Sequence, residues 1–257
     1  MALAPDRLER FARHIVLPEV GGAGQVALAD AHVMLVGCGG IGSPALQYLA
    51  AAGIGRLTLI DSDVVDISNL QRQTIFAPSE IGKPKAESAA EWVRRFDLGL
   101  KVDAVVGRVG IENAARVLSG ASLVLDGCDN FATRLAVSDS CVKLGIPLTS
   151  AALGRFQGQV ANFAGHLPGQ PCYRCFVGDA FDADDCDTCA ADGVLGAMAG
   201  MVGAFAAMQA IRVLLQGHAA LGEPQFGKLH VVEGLGPAMR TLTIAKDPGC
   251  KGCSGRD

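Results

Sequence analysis

Residues 33–43 read V-M-L-V-G-C-G-G-I-G-S, which sets Gly37, Gly39 and Gly42 in a G-x-G-x-x-G pattern between an apolar run and a helix-forming one. Glycine lets the backbone turn tightly and approach an anion, and a following helix offers free N–H groups and partial positive charge. Asp61 closes the next apolar run, where it can accept hydrogen bonds from a ribose. Those features alone also fit a nicotinamide-dependent oxidoreductase. Asn69-Leu70-Gln71-Arg72-Gln73 and Lys83-Pro84-Lys85 follow, however, and hydride transfer needs no such cations. Cleavage of a triphosphate does, because charge builds on the departing pyrophosphate. Asp126 and Asp129, in L-D-G-C-D-N, place two carboxylates at a further strand end and suggest Mg²⁺ held partly through water and phosphate.

Cys172-x-x-Cys175 and Cys250-x-x-Cys253 lie in turn-prone sequence, GQPCYRC and DPGCKGC, and can present four thiolates to one tetrahedral ion. With no position left open, that zinc is structural and ties the C-terminus back to the middle of the chain. A redox reading is disfavoured because neither pair opens a helix after a thioredoxin-like strand. Cys186 and Cys189 form another C-x-x-C among Asp182, Asp184, Asp185 and Asp187, a loop without the glycine and glutamate of an EF-hand. Cys38, Cys128 and Cys141 read as core cysteines.

The elements that must position these groups alternate. Apolar runs at 33–36, 57–60, 102–106, 123–125 and 147–150 read as buried strands, and 43–52, 84–96, 112–118 and 132–144 as helices. That order predicts an α/β fold with a doubly wound, mostly parallel Rossmann-like sheet. Beyond residue 150 the rhythm changes: a strand at 159–163, a Cys- and Asp-rich loop at 169–191, a long apolar helix at 194–215, and paired strands at 228–233 and 240–244. We read one domain over 1–257, with a helical arm at 1–30, a nucleotide-binding core at 31–150, and a C-terminal elaboration at 151–257 closed by the zinc site.

Composition sets limits. Half of the 257 residues are hydrophobic and 19% are charged, enough for a sizeable core and too apolar for a disordered chain. A net charge of −4 excludes a broad nucleic-acid surface. The charged start MALAPDRLERFARH is no export signal and points to a cytoplasmic protein. Residues 194–211 carry no charge over 18 positions, but Gly196, Gly200, Gly203 and Gln209 interrupt them, so a buried helix is expected and no membrane span.

Taken together, these residues resemble the MoeB/ThiF family, bacterial relatives of the ubiquitin-activating enzymes. The resemblance spans nearly the whole chain, from Arg10-Phe11-Ala12-Arg13-His14-Ile15 through the glycine turn, Asp61, Ser68 to Gln73, Lys85, Asp126 to Asn130 and Arg155-Phe156-Gln157-Gly158-Gln159 to the cysteine pairs. It implies a homodimer that uses ATP and Mg²⁺ to adenylate the C-terminal Gly-Gly carboxylate of a small ubiquitin-like sulfur carrier, in molybdopterin or thiamine biosynthesis or a similar route. A sulfur-donor protein would act in the later step. ATP contacts then fall on Gly37, Gly39, Gly40, Gly42, Asp61, Ser68, Asn69, Leu70, Gln71, Arg72, Lys85, Asp129 and Asn130. Arg72, Lys85 and Asp129 would serve the reaction, with Arg13 entering the partner subunit's site. Cys189 matches a crossover-loop cysteine that links covalently to the carrier in some members and is dispensable in others. Its acidic neighbours keep the thiol protonated, so we expect it to be unnecessary for adenylation. The additional Cys186, and Val232-Glu233-Gly234 in place of a commoner aromatic-Asp sequence, are departures from the family pattern. A non-catalytic zinc scaffold is the remaining alternative, and the intact charged set argues against it.

Overall fold

The run His32–Val36 forms β1, four of whose five residues are buried, and everything else is arranged about it. The computed structural model describes residues 3–178 and 193–255. After three N-terminal helices, α1 (Pro5–Arg10), α2 (Ala12–Ile15) and α3 (Gly21–Asp30), the order is β1, α4 (Gly42–Ala52), β2 (Arg56–Asp61), α5 (Lys85–Phe96), β3 (Lys101–Val106), α6 (Ala114–Val117), β4 (Leu123–Asp126), α7 (Phe131–Leu144) and β5 (Leu148–Gly154). Then come β6 (Gln157–Phe163), α8 (Tyr173–Val177), α9 (Gly196–Leu214), β7 (Lys228–Glu233) and β8 (Ala238–Thr243).

The strands form one eight-stranded sheet in the order β3-β2-β1-β4-β5-β6-β7-β8. Strands β1 to β5 pair in parallel, and β6 to β8 extend the sheet antiparallel. Alternate residues of the central strands face opposite layers. Val33, Leu35, Leu57 and Leu59 pack with α4, α5 and α9, while Met34, Val36 and Val124 pack with α6 and α7. Helices on both faces are the doubly wound arrangement the alternation implies. The winding reverses between β1 and β4, which places the crevice of such a sheet beyond their carboxyl ends.

Several details differ from the sequence reading. Within the segment read as loop, Tyr173–Val177 is helical and Cys172 is its N-cap, so one cysteine pair does open a helix. Residue 150 falls inside β5, which continues to Gly154 and returns as β6 through the two-residue turn Arg155-Phe156. Arg155 adopts φ 22° there and bridges to Val194, ahead of α9. Helix α9 is 19 residues long and apolar enough to cross a membrane by length, yet it packs on α4, β5 and β6. Gly203 permits that contact, since a Cβ there would stand 2.4 Å from the Ile41 carbonyl oxygen.

Candidate active site

The turns after β1 and β4 meet at the switch point. Gly37 has φ +87°, a conformation that favours glycine, and a Cβ on it would lie 3.0 Å from the Cys128 nitrogen. A Cβ on Gly42 would lie 1.9 Å from the Gly37 carbonyl oxygen, so only glycine closes this turn into α4. Asp61, at the end of β2, spans the same turn. Its Oδ2 accepts the Cys38 N–H at 2.7 Å and its Oδ1 the Asp63 N–H at 2.8 Å. A carboxylate has about four acceptor sites, so acceptor capacity for ribose hydroxyls remains. Burial pushes the Asp61 carboxyl above the usual range, partly opposed by the Asp63 and Cys38 N–H bonds and by Lys85.

The segment from Asp66 to Gln73 folds against the glycine turn. Asp66 caps a short 3-10 helix by accepting the Ser68 N–H at 2.8 Å, and Asn69 Oδ1 accepts the Asp66 N–H at 3.3 Å. Arg72 donates to the Ser68 carbonyl at 3.0 Å. Its stem lies over Gly40, where a Cβ would stand 3.3 Å from Arg72 Cδ and 3.6 Å from Ala199 Cβ. The buried Gln73 amide lies near Gly39. Lys85, the first residue of α5, is buried and donates to Asp63 Oδ2 at 2.9 Å. The structure therefore brings Gly37, Gly39, Gly40, Gly42, Asp61, Arg72 and Lys85 to one crevice, while the buried Asn69 side chain meets Asp66 and Ser68. Leu70 packs on the core, while Ser68 and Gln71 are exposed.

On the opposite wall, Asn130 caps α7 by accepting the Thr133 N–H at 2.9 Å, and Asp129 is exposed. The expected pair of metal-binding carboxylates is not formed. Asp126 is buried, accepts the Cys128 N–H at 3.0 Å, and faces Arg134 Nη1 at 3.5 Å. Its charge is thus matched inside the protein, which leaves Asp129 as the accessible carboxylate of that turn. Burial pushes the Cys38 and Cys128 thiols well up, with Asp61 and Asp126 adding to the effect, which suits core cysteines better than nucleophiles.

Arg13 is exposed on α2, in an arm fastened to its own chain. Phe11 is buried against Gly53, and Arg7 donates to both oxygens of Asp97 at 2.6 and 2.7 Å. Among the described residues, no contact carries Arg13 to the glycine turn of the same chain. Cys186 and Cys189 lie outside the described residues. The other four cysteines do converge. Their sulfurs all lie within 4.8 Å of one another, with Cys172–Cys250 at 3.6 Å, Cys175–Cys253 at 3.5 Å and Cys172–Cys175 at 4.0 Å. Tetrahedral Zn–S bonds of about 2.3 Å require sulfur separations of about 3.8 Å, so the donor set fits zinc.

Sequence reasoning missed Asp63 and Arg134. Asp63 announces itself only by standing two residues beyond Asp61, and Arg134 only as a cation among the small apolar residues of α7.

A glycine turn and an acidic strand end meeting at a switch point define the class: a doubly wound α/β protein with a nucleotide-type crevice. The profile of the ThiF family matches residues 11–252, and the chain belongs to that family. It is 40% identical over 253 residues to the SAMP-activating enzyme E1 of Haloferax volcanii, covering 98% of this chain and 91% of that one. It is 39% identical over 258 residues to the sulfur carrier protein adenylyltransferase of Thermus thermophilus, covering 98% and 93%. The fold is also that of Escherichia coli MccB, with a TM-score of 0.81 at 20% identity over 96% of this chain and 75% of that one.

Proposed function

We propose that this enzyme uses ATP to adenylate the C-terminal Gly-Gly carboxylate of a small ubiquitin-like sulfur carrier. The observation that carries the reading is the placement of Arg72 over Gly40 and of Lys85, held by Asp63, beside Asp61, two cations that hydride transfer does not require. The nearly full-length likeness to named carrier-activating enzymes supports it.

The carrier's carboxylate oxygen attacks the α-phosphorus of ATP. A new P–O bond forms, the bond from that phosphorus to the bridging oxygen breaks, and pyrophosphate leaves with the electron pair. The nucleophile is already ionised at neutral pH, so no general base is needed. Gly37, Gly39, Gly40 and Gly42 let the backbone approach the phosphates, and Asp61 orients the ribose. Asn69, Arg72 and Lys85 stabilise charge on the pentavalent oxygens and the leaving group. Asp63 holds the Lys85 ammonium at a fixed point before the nucleotide arrives. Asp129 would help to hold Mg²⁺, which would supply neutralisation of the developing phosphate charge. Arg13 acts in the partner subunit of a homodimer. Zn²⁺ on Cys172, Cys175, Cys250 and Cys253 is structural. Such an enzyme would act in the cytoplasm, where its cysteines stay reduced.

The test is exchange of labelled pyrophosphate into ATP in the presence of a Gly-Gly carrier, beside thermal shifts with ATP and with NAD. Exchange and a melting temperature raised by ATP alone support the reading; stabilisation by NAD with no exchange overturns it.

A further inference from the structure

We propose that Arg134 is a positioning residue that couples the four-cysteine cluster to the Asp129 turn, so that the cluster's integrity sets the rate of adenyl transfer. The proposal rests on the adenylyltransferase reading for its kinetic arm, and its hydrogen-exchange arm is independent of that reading.

Arg134 lies one turn inside α7, and its side chain is 7% exposed. Nη1 reaches Asp126 Oδ2 at 3.5 Å and donates to Ser150 Oγ at 3.2 Å. Nη2 donates to the Ala151 carbonyl at 2.8 Å and to the Cys128 carbonyl. The Cys128 N–H is meanwhile held by Asp126. Both polar groups of Cys128 are therefore fixed by one buried ion pair, immediately before Asp129. A planar guanidinium can reach four acceptors in this way, whereas a lysine ammonium cannot reproduce the fork.

The other end of the coupling is the cysteine cluster. Tyr173 directly follows Cys172, is buried, and lines with Arg134 a cavity of about 20 Å³, room for about one water. The same cavity is lined by Ser150, a partner of Arg134. Arg174, between the paired cysteines, donates to both carboxylate oxygens of Asp139 on α7 at 2.8 and 2.9 Å. Val142, further along α7, packs on the cluster. One helix therefore carries the Asp129 turn at its start and the cluster toward its end, and Tyr173 shares a cavity with Arg134 beside it. Through that path, loosening the cluster releases Arg134 and then the peptide that aims Asp129.

Two variants test this. In Arg134→Lys the charge opposite Asp126 is kept, so zinc content and the KM for ATP should match wild type. The kcat of pyrophosphate exchange should fall roughly tenfold to a hundredfold, and half-maximal rate should need more Mg²⁺. An unchanged kcat per folded molecule overturns the positioning role. In Tyr173→Phe, and in wild type stripped of metal, the amides of residues 128–131 should exchange with deuterium faster than in the loaded wild-type chain. If the stripped chain unfolds altogether, the metal-loaded Tyr173→Phe chain carries the comparison. Faster exchange confined to residues 172–178 and 247–253 overturns the coupling. Wild type with no pyrophosphate exchange would instead defeat the proposed function, while the deuterium comparison still reads the coupling.

Discussion

Gly196 offers a way to disturb the wall proposed to bind phosphate without touching any charged group. A Cβ at this position would stand 2.3 Å from the Gln71 carbonyl oxygen and 3.5 Å from Arg72 Cα. Carbon–oxygen contacts settle at about 3.3 Å or more, so Gly196→Ala forces a displacement of about 1 Å. The displaced partner is backbone, either the start of α9 or the strip that carries Asn69 and Arg72. Helix propensity favours alanine by at most about 1 kcal/mol, which offsets only part of an overpacking cost of about 1–3 kcal/mol. Positioning is less forgiving: a misplacement of about 1 Å costs on the order of a hundredfold in rate. We expect kcat for pyrophosphate exchange to fall by roughly one to two orders of magnitude, while the melting temperature falls by only about a few degrees. A smaller rise in the KM for ATP should accompany it. A variant with native kcat and KM would refute the placement of α9 as the platform beneath Arg72.

Removing the metal by chelation, or substituting Cys250→Ser, should abolish zinc binding and lower the melting temperature sharply. Such sites contribute on the order of 10 kcal/mol, comparable to the whole stability of an ordinary domain. Metal-free protein of undiminished stability would contradict this. Because burial raises the Asp61 carboxyl, it should lose its charge, and its ribose bonds, at a higher pH than an ordinary Asp of about 3.9. The KM for ATP should therefore rise as pH falls toward that range, and Asp61→Asn should flatten the rise; a wild-type profile identical to that of the variant would exclude Asp61 from the ribose site. An Arg13→Ala chain mixed with an Asp129→Ala chain should recover part of the activity each lacks alone. No recovery despite proven subunit exchange would mean that Arg13 does not act across the dimer.

The sequence made the crevice legible because its parts are local. An apolar run, a glycine turn and a helix start within about a dozen residues dictate β1 and α4, and Asp61 follows from the end of the next run. The cysteine quartet was legible from paired spacing, although closing residues 172 and 250 onto one point is a tertiary fact. What stayed hidden depended on burial. Asp126 reads as a free carboxylate until Arg134 is found beside it, and a single cation in a helix ordinarily faces water. The helix after Cys172 is five residues long and lacks a side-chain cap, too little signal to separate it from loop.

In the proposed reaction the carrier's terminal carboxylate, and no other group, receives the adenylyl moiety. Intact-mass analysis of a Gly-Gly carrier incubated with enzyme, ATP and Mg²⁺ tests it directly. A carrier species bearing one adenylyl group should form together with pyrophosphate, and be lost when the terminal glycine is deleted or when Asp129 is replaced by alanine. Hydrolysis of ATP with no adenylylated carrier, or the same species from a carrier with a blocked C-terminal carboxylate, would contradict it.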